Sequence, residues 1–246
     1  MNIVCVFAHQ DDETRCLGTL LRLREAGNQI AFVCVTQGDK GLPFSDPEAR
    51  RTAGDVRRKE MEAVAAAFDA RYICLEREDG FVTDDNSLRR DLIECLRSLR
   101  AEVVFTHWVN DYNSDHVIAA KATIDAALFT NLGSFESVAS PLTSVPRIFH
   151  THPGDGYGFE ATHFVELGKD HVARKLEIIR LHDSQLRVSR RLFGRDYAEE
   201  IGVEDSRQGI RLMVSAAEAF RPCVADRRIP WPSDLPPRLV GASEAP

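Results

Sequence analysis

The sequence predicts an α/β protein, a Rossmann-like three-layer sandwich around a mostly parallel central sheet. Three observations predict it. Apolar runs of strand length alternate with amphipathic stretches of helix length through the first 130 residues. The runs are continuously apolar, as strands covered on both faces require. The stretches between them are long enough for right-handed helical crossovers.

The elements follow in order. "NIVCVFA" is the first strand. "ETRCLGTLLRLREAG" places Cys16, Leu17, Leu20, Leu21 and Leu23 on one helical face and ends on Gly27, a suitable cap. "QIAFVCVTQ" is the second strand. A polar loop with Gly38, Gly41 and Pro43 leads to a long helix, Pro47 to Phe68. "RYICLE", the helix "SLRRDLIECLRSLR", "AEVVFTHW" and the helix "SDHVIAAKATIDAAL" complete the alternation. The second half is less regular. "SVPRIFHTH" and "THFVEL" read as strands and "DHVARKLEIIRLH" as a helix, with "PGDGYGFEATHF" looping over the sheet rim. "RLMVSAAEAFRP" reads as a final helix, and the proline-rich tail after Pro222 as irregular. The expectation is a single domain over 1–246. Its core is roughly 1–130, and 131–246 supplies a sheet extension, substrate loops and C-terminal helices.

Composition narrows the function. The chain has 246 residues, 38 acidic and 31 basic, for a net charge of -7, which disfavours nonspecific nucleic-acid binding. The six cysteines form no CxxC pair and several sit in strand-like runs, so buried free thiols are expected. No stretch reads as a signal peptide or membrane span, and a cytoplasmic enzyme is the expectation.

Parallel sheets bind ligands beyond the carboxyl ends of their strands. "HQDDE" and "HWVNDYNSDH", distant in sequence, both fall on that rim. His9 and Asp12, three apart at a strand-to-helix turn, can aim at one cation, and His116 is the best third ligand. Two histidines and a carboxylate with an open position suit catalytic Zn2+ or iron(II). Asp11 would stand beside the metal as a base. In isolation Asp11, Asp12 and Glu13 would only favour a helix N-terminus; the convergence of two loops on one edge favours a site. A dinucleotide is disfavoured, because GxGxxG is absent and carboxylates would repel phosphate.

"AHQDDE" (8–13) resembles the AHPDDE signature of the LmbE/PIG-L family of zinc-dependent N-deacetylases, and "NDYNSDH" (110–116) its second motif. "TQGDKG" (36–41), "RRKE" (57–60), "KLEIIRLHDSQ" (175–185) and "AEAF" near Ala217 are similar to further family segments, in order. The resemblance implies His9, Asp12 and His116 as zinc ligands and Asp11 as general base, then acid. It implies Arg57 and Asp79 as sugar contacts. The activity would be hydrolysis of an N-acetyl group, commonly on N-acetylglucosamine. Two departures stand out. Gln10 replaces a proline, which would alter turn rigidity. Asn113 stands where many members carry a histidine that helps hold the oxyanion; its amide can donate a hydrogen bond but carries no charge. Asn113 and Asp115, which would pair with such a histidine, join Asp11 in the expected catalytic set.

His150 and His152 end a later strand on the same rim and are expected to contact substrate or replace the missing histidine. His107 could line the pocket or be structural. Tyr157 and Phe159 could wall a sugar ring, although core packing is the simpler role. His182 sits at a helix end without a nucleophile elbow, which excludes serine hydrolase chemistry. The expected partner is a small N-acetylated sugar or glycoconjugate. No nucleic acid is expected, and a homo-oligomer is compatible with the sequence. The alternatives are N-deacylation of a non-sugar secondary metabolite, or a noncatalytic sugar- or metal-binding module.

Overall fold

A computed structural model describes residues 1–43, 45–154 and 156–230. One seven-stranded sheet runs in the order β3-β2-β1-β4-β5-β7-β6. The strands are β1 (Asn2–Phe7), β2 (Gln29–Thr36), β3 (Arg71–Arg77), β4 (Val103–Thr106), β5 (Arg147–Thr151), β6 (His163–Glu166) and β7 (Ala217–Pro222). The first five are mutually parallel; β7 runs antiparallel between β5 and β6.

Side chains of β1 alternate between two cores. Ile3, Cys5 and Phe7 pack with Leu17 and Leu20 of α1 (Leu17–Glu25), Met61 and Val64 of α3 (Ala53–Ala67), and Ile178 of α6 (Lys169–Ile179). Val4 and Val6 face the opposite layer, where Leu88 and Leu92 of α4 (Asn86–Ser98) meet Ala119 and Ala122 of α5 (Ser114–Phe129). With both faces covered, the strand is apolar throughout, as the sequence suggested. All six cysteines are free. Among the described residues no helix is long and apolar enough to cross a membrane.

Three expectations change. The segment read as a final helix forms β7 instead, with Ala217 to Phe220 all buried between β5 and β6. Ala and Glu favour helix locally, but a vacant place in the sheet overrides that preference. The helix expected over Pro47 to Phe68 divides at Thr52 into α2 (Pro47–Arg51) and α3. The first helix is preceded by a 3-10 turn, Asp12–Arg15, before α1 begins at Leu17. Two further helices, α7 (Asp183–Phe193) and α8 (Tyr197–Ile210), cover the first core. The tail is irregular over 223–230; its remainder lies outside the described residues.

The sheet order reverses direction between β1 and β4, the place where open α/β sheets form their ligand crevice. His9 follows β1 and His107 follows β4.

Candidate metal centre and active site

The turn after β1 is held from several directions. His9 N donates to Asp12 Oδ2 at 2.7 Å. Gln10, buried, donates from Nε2 to Thr36 O (3.0 Å) and Tyr72 OH (3.1 Å). The residue in place of proline therefore ties the turn to β2 and β3. Asp11 adopts φ 121°, ψ -13°, a conformation an L-residue holds only when its surroundings impose it. Its amide donates to Glu13 Oε2 at 3.0 Å, and Glu13 Oε1 accepts from His182 Nε2 at 2.6 Å. Its carboxylate pairs with Arg57 Nη2, which also donates to Gln10 O. Gly38 and Gly41 let the loop after β2 close onto that guanidinium; a Cβ on Gly41 would lie 2.6 Å from Arg57 Nη1.

The structure brings His9, Asp12 and His116 together. His9 Nδ1 and His116 Nε2 are 3.2 Å apart. Asp12 Oδ2 is 3.3 Å from the first and Oδ1 3.3 Å from the second. Tetrahedral ligands about 2.0–2.1 Å from a zinc ion stand about 3.3–3.4 Å from one another, so these atoms fit such an ion. Two further acid–histidine groups overlap this one: His107, Asp111, His116, and His9, Asp79, Asp115. In the first, His107 Nε2 already accepts from Ala8 N at 2.9 Å. In the second, Asp115 accepts from the Gly80 and Val82 amides.

Those overlapping carboxylates instead face the far side of each imidazole. His9 Nε2 lies 3.1 Å from Asp79 Oδ1 and 3.4 Å from Asp115 Oδ2. His116 Nδ1 lies 3.1 Å from Asp111 Oδ1. A carboxylate behind each coordinating imidazole is the usual support of a metal-binding histidine, fixing its tautomer and raising its basicity.

The electrostatics favour a cation. Burial alone would lower the His9 pKa, but Asp115, Asp12 and Asp79 lift it well above its ordinary value. Burial likewise opposes protonation of His116, and Asp12 and Asp111 raise it to about 9. Burial and the neighbouring His116 charge push His107, stacked on that ring at 3.9 Å, down to about 4. Burial would raise Asp12, but His116 and His107 hold it well below the usual carboxylate range. Asp11 goes the other way: burial, opposed by Arg57 and assisted by Asp12, raises it to about 6.

A cavity of about 160 Å³ opens over the cluster, lined by Asp11, Asp12, His107, His116, Tyr112 and His152 among others. The remaining expected site residues lie elsewhere. Arg57 and Asp79 are behind the cluster, 3.8 Å from each other, and neither lines the cavity. Asn113 caps α5, its Oδ1 accepting from Asp115 N at 2.8 Å, and is also outside the lining. His150 donates from Nδ1 to His107 O at 2.6 Å, beneath the rim. Tyr157 is exposed beside Tyr112 at the mouth, and Phe159 packs edge-on against Trp108. Sequence reasoning missed Asp111 behind His116, Glu13 and His182 under Asp11, and Arg15 in the cavity wall. Asp111 sits inside the quoted second motif, but nothing local distinguishes it from a turn residue.

Comparison with known proteins bears on the family and the fold. A profile of the family described as PIG-L, GlcNAc-PI de-N-acetylase, matches residues 4–127. A probable N-acetyl-alpha-D-glucosaminyl L-malate deacetylase 2 of Bacillus anthracis is 24% identical over 216 residues, 81% of this chain and 88% of that protein. The fold matches N,N'-diacetylchitobiose deacetylase from Pyrococcus horikoshii with a TM-score of 0.77 at 22% identity, over 90% of this chain and 83% of that one. It also matches GalB, the 4-carboxy-2-hydroxymuconate hydratase of Pseudomonas putida, with a TM-score of 0.72 at 19% identity, over 92% and 98%. The matched stretch runs from β1 through α5 and contains every residue of the acid–histidine cluster, and the chain belongs to the PIG-L family.

Proposed function

We propose that the protein is a zinc-dependent N-deacetylase acting on N-acetylated amino-sugar conjugates. The observation that carries the reading is the triangle of His9, Asp12 and His116 atoms at 3.2–3.3 Å, each imidazole backed by a carboxylate and Asp11 in the same cavity. The sugar specificity of its relatives supports the substrate class. Iron(II) would suit the same donors.

When bound, the metal supplies Lewis acidity, lowering the pKa of water and polarising the amide carbonyl. The chain's residues do the rest. Asp11, held by Arg57 and by the backbone twist that Glu13 supports, takes a proton from the attacking water. It returns that proton to the amide nitrogen as the C–N bond breaks, releasing acetate and an amine. A carboxyl near pH 6 is suited to both tasks, and Arg57 keeps its ionised form available. Arg57 thus acts as a positioning residue for Asp11, and Asp79 and Asp115 orient His9. His152 accepts from Gly154 N through Nδ1 at 3.1 Å, the tautomer that carries its ring proton on Nε2. In the cavity wall it supplies the oxyanion hydrogen bond that Asn113, engaged as a helix cap, does not. Tyr112 and Tyr157, both exposed at the mouth, offer faces for a sugar ring.

The test pairs metal analysis with acetate release from N-acetylglucosamine conjugates. The wild type should hold about one metal per chain and lose activity on chelation. Asp11→Asn should keep the metal and lose about 10²–10⁴-fold in turnover. Acetate release that survives chelation, or full turnover by Asp11→Asn, would overturn the mechanism.

A further inference from the structure

Tyr197 closes one side of the metal cavity and takes no part in the proton transfers. It is the first residue of α8 and reaches across to the turn that carries Asp11 and Asp12. There its hydroxyl shares a 3.0 Å hydrogen bond with Thr14 Oγ1, and Thr14 is fully buried. The half-buried ring packs against the first hydrophobic core. The backbone beneath it is fixed as well. Asp196 caps α8, accepting from the Ala198 and Glu199 amides at 3.0 and 3.3 Å, and pairs with Arg190 at 2.7 Å. Burial, and Asp11 after it, raise the pKa of the phenol, so the hydroxyl is neutral. Tyr197 is a fixed, uncharged wall.

The wall divides two spaces. Tyr197 and Arg15 line both the 160 Å³ cavity over the cluster and a groove of about 530 Å³ along α8. A cavity of about 150 Å³ holds one benzene molecule, so the space over the cluster takes a short acyl group and little more. A sugar ring must then stay at the open side, where Tyr112 and Tyr157 are exposed. Tyr112 belongs to the loop after β4, and its ring meets that of His116 at 5.5 Å. Tyr197 stands on the other flank of the ligand triangle, against the turn after β1. With the scissile C–N bond over the triangle and the sugar on the Tyr112 side, the acyl carbons point towards the Tyr197 ring. That ring and Pro153 supply carbon surface for a methyl group. The carboxylates of the same lining, Asp11, Asp12 and Asp111, are committed to Arg57 and the imidazoles.

We infer that Tyr197 is a specificity residue whose ring ends the acyl pocket and restricts hydrolysis to acetyl among N-acyl groups. The inference rests on the deacetylase reading. Without the ring the cavity opens into the groove, and propionyl and butyryl groups gain room.

The test uses the N-acetyl, N-propionyl and N-butyryl forms of one methyl glucosaminide, with acid release measured for the wild type, Tyr197→Ala, Tyr197→Leu and Tyr197→Phe. In the wild type kcat/KM should fall about 10-fold or more per added methylene. Tyr197→Ala should narrow the acetyl-to-butyryl ratio about 10- to 100-fold. Tyr197→Leu, which keeps more of the core packing, should narrow it less and serves if the alanine variant does not fold. Tyr197→Phe keeps the ring and should hold the wild-type ratio. A wild type without acetyl preference overturns the inference. So does a ratio unchanged in both truncations, including one in which all three substrates slow alike, as a merely structural role would give. A ratio that collapses in Tyr197→Phe also overturns it, because the hydroxyl and not the ring would then set it. A second readout needs no turnover: calorimetric binding of acetate, propionate and butyrate to the zinc-loaded protein. The wild type should bind acetate most tightly, and Tyr197→Ala should lose that order. If no amide is hydrolysed, the deacetylase reading fails, and the acid series still decides whether Tyr197 limits the cavity.

Discussion

Replacing Lys175 with methionine should destabilise the protein severely, and more at high pH than at low. Lys175 is completely buried on α6. Its ammonium donates to Asp205 Oδ1 (2.9 Å) and Oδ2 (2.7 Å) on α8 and to Glu218 Oε1 (2.7 Å) on β7. Glu218 also accepts from the Gly18 and Thr19 amides at the start of α1, at 2.8 and 2.6 Å. One buried cluster therefore joins α1, α6, α8 and β7, and the methionine leaves two carboxylates with no cation. Breaking such a group costs about 3–5 kcal/mol. At about 2–4 °C per kcal/mol for a chain of this size, Tm should fall by roughly 6–20 °C. The sign of the pH effect follows from Asp205. Burial raises its carboxyl to about 6 even though Lys175 pulls the other way. Without Lys175 it rises further, while the unfolded value stays near the usual 3.9. The folded variant then takes up a proton that the unfolded chain does not. Its stability recovers as pH falls from 8 towards 4, by up to about 1.4 kcal/mol per pH unit. Urea unfolding at pH 5 and pH 8 reads both quantities. Lys175→Met with Asp205→Leu should recover much of the loss, because one uncompensated charge is gone and Glu218 keeps its two amides. A deficit under 1 kcal/mol at pH 8, or one equal at both pH values, would refute the reasoning.

Three other outcomes follow from the same structure. Glu13→Gln should lower turnover while metal content holds, because the Asp11 backbone at φ 121° loses its ionised acceptor. It should also flatten a pH dependence. Burial lowers His182, Glu13 outweighs it, and the net pKa is raised, so this pair's stabilisation is complete below about 6.5 and is lost as pH rises through the folded value; urea titrations of both proteins from pH 5.5 to 9 show whether that slope disappears. Asp115→Asn should weaken metal binding about 10- to 100-fold, measured by chelator competition, because His9 loses a supporting carboxylate. Gly41→Ala should reduce kcat/KM about 100-fold with metal content intact, since its Cβ displaces the Arg57 group that positions Asp11; unchanged kinetics would show that Arg57 placement is not needed.

What the sequence made legible was local, and what it hid was long-range. A strand buried on both faces leaves a continuous apolar run, and a polar turn at its end stands out against it; that is how His9, Asp11 and Asp12 could be read together. His116 was readable because the parallel topology brings the ends of β1 and β4 to one crevice. Pairing across the fold leaves no such trace. Glu218 looks like a helix-forming residue among alanines, yet its partners lie 43, 199 and 200 residues away, and their demand for a carboxylate between β5 and β6 fits the strand geometry of β7. Arg57 illustrates the same limit at the active site. In sequence it is one arginine in a charged helix, and it belongs with a substrate as readily as with Asp11. The distinction lies in two glycines of another loop, which have room for no side chain where the guanidinium passes.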